Sequence, residues 1–182
     1  MQTLRKPKPA PQASALPYPI SIAAELTYSA DIPAGNGVES FDAPGAVSIN
    51  RARIGCLANL KLPLYGKRVL DVGCGVGHLA QFFVQQGCKV SCLDARPQNI
   101  ERLNSLYPDL EARVFDLERD SCADLGMFDI VFAFGLLYHL ENPFRAIRNL
   151  SAAASELLLL ETVVSDHHLP LVVMCEEPTA FN

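Results

Sequence analysis

Asp71, Gly73, Gly75 and Gly77 occupy alternate positions in the stretch Val69–His78, VLDVGCGVGH. This pattern suits the binding of a small ligand that carries charge. Alternate glycines let the backbone take positive φ and approach a ligand with no Cβ in the way. An apolar strand (Val69, Leu70, Val72) leads into the turn. A helix is expected directly behind it, with free N–H groups suited to an anionic group. The carboxylate of Asp71, beside the turn, suits a cationic group on the same ligand. Cys74 lies inside the turn and reads as a small residue that fits there, in preference to a catalytic thiol.

Two more acids, Asp94 and Asp116, fall where later strands are expected to end. Asp94 lies about 20 residues past the glycines, a spacing at which a carboxylate accepts hydrogen bonds from ribose hydroxyls. Tyr138 and His139 follow the fourth expected strand. An imidazole titrates near neutrality, so His139 is a candidate general base. The alternative is that it orders its turn through backbone hydrogen bonds. The glycines alone leave a dinucleotide site open. That fingerprint is GxGxxG after a strand. Here the third glycine comes one place early, and His78 stands where the fingerprint wants it. A plain strand–turn–helix is the remaining reading.

The elements that must position these residues can be read from periodicity. Strands are expected at Val69–Val72, Cys88–Leu93, Ala112–Phe115, Phe128–Phe134 and Leu157–Val164. A helix capped by Ser48 runs to about Leu60, with Ile49, Ala52, Arg53, Cys56, Leu57 and Leu60 at helical spacing. A second continues from Leu79 to Gln86 and ends at Gly87. A third starts at Pro97 with Ile100, Leu103 and Tyr107 on one stripe. A fourth is capped by Asn142, with Phe144, Ile147 and Leu150 facing the core, and a short one lies near Ala123. Strands alternating with helices imply an α/β, doubly wound, mostly parallel sheet. Ligands on such sheets bind at the carboxyl ends of the strands near the switch point. Arg51 and Arg53 either face a substrate there or form a solvated basic face.

The 182 residues suffice for one domain with a sizeable core, and 49% are hydrophobic against 19% charged. The formal net charge of -5 argues against a nucleic-acid backbone as the main partner. No apolar run is long enough to span a bilayer, and Pro17 and Pro19 interrupt the only leader-like stretch. None of the six cysteines forms a CxxC pair, so reduced thiols in the cytoplasm are expected. No metal is expected; His167 and His168 read as an exposed pair. Residues 1–20 read as an extended tail, Ser21–Ser29 as a short helix, and 21–182 as a single domain.

The order D-x-G-x-G-x-G, Asp94, Asp116 and Phe128–Leu150 (FDIVFAFGLLYHLENPFRAIRNL) resembles the class I S-adenosylmethionine-dependent methyltransferases over roughly Val47–Val164. The resemblance implies a Rossmann-like fold with strand order 3-2-1-4-5-7-6, the cofactor S-adenosylmethionine and the product S-adenosylhomocysteine. It implies that Asp71, Gly73, Cys74, Gly75 and Gly77 hold the methionine end. Asp94, with Ala95 and Arg96 beside it, would hold the ribose. Asp116 would accept from the adenine amine, and the Leu117 N–H would reach the ring. Carbonyls near Phe134 and Gly135 would take the ammonium group. Tyr138 would shape the methyl-transfer pocket or pack, and Glu161 would be structural or line the cleft rim.

No NPPY-like tetrapeptide follows the fourth strand. The implied acceptor is therefore an oxygen or nitrogen nucleophile of a small or saccharide-like molecule, methylated by in-line displacement. The GLLYH segment and Leu158–Val163 are also similar to enzymes that carboxymethylate a tRNA wobble uridine. They are closer still to methyltransferases associated with glycan or natural-product assembly. A module that binds the cofactor without turnover is the other class. The last two strands of the family's sheet find no full counterpart, so a C-terminally truncated domain is expected. Leu169–Met174 would then fold back on the fifth strand, or the open edge would pair two copies in a homodimer.

Overall fold

Arg68–Val72 (β1) is the central strand of the computed structural model, which describes residues 37–164. It pairs in parallel with Lys89–Asp94 (β2) on one side and Phe128–Phe134 (β4) on the other. Glu111–Val114 (β3) and Ala154–Glu161 (β5) extend the sheet, giving the order β3-β2-β1-β4-β5 with every pairing parallel. Strands covered on both faces are near-continuous apolar runs, and FDIVFAF in β4 is one apart from Asp129. The order reverses between β1 and β4, so the switch point lies at the carboxyl end of β1, where the glycines begin.

Helices cover both faces. Pro44–Asn59 (α1), Ala80–Gln85 (α2) and Pro97–Leu106 (α3) place Leu57, Phe83 and Leu103 against Val69, Cys92 and Phe132. Pro143–Ala153 (α4) places Ala146, Leu150 and Ala153 against Leu70, Val72 and Val131 on the other face. Val69 and Leu70 thus serve opposite layers, as strand alternation requires. Three short 3-10 segments, Gly37–Asp42, Cys122–Leu125 and Leu137–His139, complete the described chain.

Several boundaries differ from the sequence reading, each for a physical reason. β5 starts at Ala154, directly after α4, and ends at Glu161 instead of Val164. Its partner β4 stops at Phe134, and the Gly135 N–H donates to the Glu161 carbonyl, so Thr162–Val164 have no ladder to join. β2 and β3 each begin and end one residue from the expected bounds. α1 starts at Pro44, not behind Ser48, whose hydroxyl donates back to the Pro44 carbonyl from inside the helix. Its core face is Asn50, Ile54, Leu57 and Ala58, which leaves Ile49, Cys56 and Leu60 exposed. α2 starts only at Ala80, so the turn's own amides, not a helix end, lie next to the glycines. In α4, Asn142 caps the Arg145 N–H as expected, but Phe144 is exposed. It lies two residues, about 200° of helix, from the buried Ala146. Residues 1–36 and 165–182, with the tail, the Ser21–Ser29 helix, the fold-back of Leu169–Met174, Cys175 and the His167–His168 pair, lie outside the described residues.

Phe132 is fully buried, and its ring centroid lies 4.6 Å from that of Phe83 across the α2 layer. Phe132→Ala is expected to cost about 3–5 kcal/mol of unfolding free energy. Urea denaturation followed by circular dichroism measures it, and a loss below about 1 kcal/mol would show that this layer does not carry the core.

Candidate functional site

The turn after β1 is fastened to the end of β2. The Gly73 and Cys74 N–H groups both donate to the Leu93 carbonyl, at 2.8 and 3.0 Å. The Gly75 N–H donates to Asp94 Oδ2 at 2.9 Å. Asp94 Oδ1 accepts from the Arg96 N–H and from Asn99 Nδ2, both at 2.9 Å. Asp94 is therefore a buried bracket for the turn as well as the expected ribose acceptor. Gly73 and Gly75 have φ of +76° and +54°. A Cβ on Gly73 would meet Leu136, and one on Gly75 would meet the ring of Phe41 at 2.5 Å. The bare glycines thus admit side chains of this protein.

Asp71 is buried at the end of β1, and its Oδ2 has no hydrogen-bond partner. Burial, and then the nearby Asp94 charge, push its carboxyl well above the usual carboxylate range. A cation bound beside it would reverse that shift and relieve the cost of the buried group. Cys74 is also buried. A hydrogen bond with Cys92 and burial raise its ionisation far above neutral pH, so it is a packing residue and no nucleophile.

Arg53 reaches over the strand ends from α1. A Cβ on Gly135, which has φ of +69°, would fall 2.6 Å from Arg53 Nη2. The same nitrogen lies 2.6 Å from Glu161 Oε2 at the end of β5. The alignment falls outside hydrogen-bond range, so the contact is an ion pair only. Arg53 Nε is buried without a partner. Arg53 is therefore not part of a solvated face, its side chain being 17% exposed, whereas Arg51 is exposed.

Sequence reasoning missed the network around His78. Its Nε2 lies 2.9 Å from Asp42 Oδ1 and its Nδ1 3.1 Å from the Tyr107 hydroxyl. Burial holds this imidazole below its ordinary range, and Asp42 offsets only part of that. The network fastens Gly37–Asp42, and with it Phe41, onto the glycine turn. One signal was available: a polar His where a glycine fingerprint has none.

The other expected residues divide by location. Ala95 and Arg96 are exposed just past β2, and Phe134 and Gly135 end β4. Asp116 is half-exposed beyond β3, accepting the Glu118 N–H and pairing with Arg119 at 3.2 Å, while Leu117 beside it is buried. Tyr138 and His139 are exposed on the turn after β4, with ring centroids 4.2 Å apart. The structure so brings the β1, β2 and β4 ends together as one surface, with Asp116 at the β3 side and His139 at the β4 side.

A family model described as "Methyltransferase domain" matches residues 49–175. The chain belongs to the class I S-adenosylmethionine-dependent methyltransferases. The ubiquinone biosynthesis O-methyltransferase of Escherichia fergusonii is 32% identical over 104 residues, 55% of this chain and 43% of that protein. This chain therefore spans less than half the length of the curated relatives it matches. Magnesium protoporphyrin IX methyltransferase from Synechocystis PCC 6803, solved with S-adenosylmethionine, superposes with a TM-score of 0.56 at 23% identity, over 70% of this chain and 64% of that one. The N-terminal domain of EvdMO1, solved with S-adenosylhomocysteine, gives 0.51 at 26%, over 60% and 47%.

The family's cofactor is S-adenosylmethionine, and the residues present fit it. A sulfonium amino acid carries an ammonium and a carboxylate. Asp71 offers a buried carboxyl oxygen without a partner at the end of β1, and Arg53 offers a guanidinium with a buried, unpartnered Nε at the end of β4.

The raised carboxyl of Asp71 fixes a sign. The folded protein retains a proton that the unfolded chain releases above about pH 4, so this group lowers stability as pH rises from there. Without ligand, Asp71→Asn should raise the melting temperature at pH 7 by about 3 °C or more. The gain should shrink toward pH 4, and S-adenosylhomocysteine binding should weaken. Scanning fluorimetry across that range checks it; a lower melting temperature at neutral pH contradicts the assignment.

Proposed function

We propose that this chain transfers a methyl group from S-adenosylmethionine to an oxygen or nitrogen nucleophile of a small or saccharide-like acceptor. The observation that carries the reading is the buried, unpartnered carboxyl of Asp71 at the glycine turn, facing a cofactor class that brings a cation. The cofactor, when bound, supplies a methyl on sulfur that is already activated for in-line displacement. The chain's part is then alignment, exclusion of water and handling of one proton. Asp71 and the carbonyls of Phe134 and Gly135 would hold the ammonium, Asp94 the ribose, and Asp116 with the Leu117 N–H the adenine. Tyr138 lines the acceptor side. His139 would take the proton of the acceptor's O–H or N–H on an imidazole nitrogen as the methyl group is transferred.

The similarity to ubiquinone biosynthesis O-methyltransferases supports oxygen as the acceptor atom. The net negative charge supports a partner other than nucleic acid. The unpaired Cys74, Cys92 and Cys122 are in keeping with the cytoplasm. No helix among the described residues is long and apolar enough to cross a membrane. The outer edge of β5 has no ladder neighbour among the described residues.

Calorimetry should show S-adenosylhomocysteine binding and no response to NAD. With a panel of hydroxylated aromatic and saccharide acceptors, scored by S-adenosylhomocysteine release, His139→Ala should lower turnover by about 10²–10⁴-fold. Cofactor affinity should stay nearly unchanged. Loss of binding in step with turnover would make His139 structural, and binding with no transfer to any acceptor would favour a cofactor-binding module.

A further inference from the structure

Asn99 lies in the first turn of α3 and is 3% exposed. The two ends of its amide are used unequally. Nδ2 donates to Asp94 Oδ1 at 2.9 Å, whereas the Asn99 Oδ1 is buried with no partner. The amide cannot be turned round, because its oxygen would then face a carboxylate oxygen and neither could donate. A buried oxygen left unsatisfied destabilises the fold. A leucine of similar shape would avoid that penalty. What Asn99 supplies in return is its one donor to Asp94.

That donor changes what remains of Asp94. A carboxylate accepts about four hydrogen bonds, two on each oxygen. Oδ1 is filled by the Arg96 N–H and by Asn99 Nδ2, and Oδ2 already holds the Gly75 N–H. One acceptor position is left, on Oδ2, the oxygen beside the glycine turn. The main chain is held as well, since the Asp94 carbonyl accepts the Phe115 N–H at 2.9 Å. The carboxylate therefore cannot turn to offer more without breaking a bond to a buried group. A ribose diol brings two hydroxyls, one more than Asp94 has places for.

We infer, on the reading that places the cofactor's ribose at Asp94, that Asn99 is a positioning residue that restricts Asp94 to one of the two ribose hydroxyls. The second hydroxyl contributes little to affinity. Asn99 acts without touching the cofactor: it closes Oδ1 and leaves Oδ2 as the single acceptor. Ribose recognition is then one-sided, and removing the Asn99 donor reopens a position on Oδ1 for the other hydroxyl.

Calorimetry with S-adenosylhomocysteine and its 2′-deoxy and 3′-deoxy analogues tests this by binding alone. In the wild type one analogue should bind about tenfold more weakly than the parent, as loss of a bond to a charged acceptor requires. The other should stay within about twofold. Asn99→Leu keeps the shape of the side chain and removes its donor. The variant should bind the parent within about threefold of wild type, and the analogue that wild type tolerates should now lose about fivefold. The gap between the two analogues should therefore narrow. Equal losses for the two analogues in the wild type, which needs no variant, overturn the restriction while the cofactor reading stands. Asn99→Leu that weakens all three ligands alike, or leaves the gap unchanged, makes Asn99 structural only and overturns its role. Analogues that both bind like the parent remove the ribose from Asp94 and the inference with it. A wild type that binds no S-adenosylhomocysteine overturns the cofactor reading too.

Discussion

The carboxylate of Asp94 holds the site together. Its two oxygens accept three donors, from Gly75 on the turn after β1 and from Arg96 and Asn99 at the start of α3. Hydrogen bonds to a charged group are the stronger kind, and breaking them here would leave a buried anion unsatisfied. The positive φ values of Gly73 and Gly75 are kept in place by this bracket and by the Leu93 carbonyl beside it.

The second carboxyl in the same place has the opposite character. Asp71 is buried close enough to Asp94 to feel its charge, and its Oδ2 has no partner. A fold selected for stability alone would place an apolar residue there. Two acids near one turn make sense when a cation is to be bound, because the electrostatic cost in the free protein becomes binding energy in the complex. Arg53 repeats the arrangement with opposite sign at the β4 end.

Contacts across the chain complete the site. Phe41 lies on Gly75, and Leu136 on Gly73, so the glycines admit close packing by distant side chains. The His78–Asp42 contact joins residues 36 positions apart and secures the segment that carries Phe41.

The sequence by itself determined the sheet and its direction. Apolar runs of strand length, separated by helical periods, admit little except a parallel sheet with helices on both faces, and β4 falls on Phe128–Phe134 as read. It also determined the turn, since glycines in alternation beside an acid serve few other purposes. Local pattern does not encode which face of a helix meets the sheet when both faces carry apolar residues. Thus α1 buries Leu57 and leaves Ile49 and Leu60 exposed. Nor does it encode where a strand loses its neighbour, which is why β5 ends at Glu161 and not Val164. The meetings of Arg53 with Glu161 and of His78 with Asp42 are decided by the tertiary structure alone, because each pairs side chains whose separation in sequence carries no periodic signal.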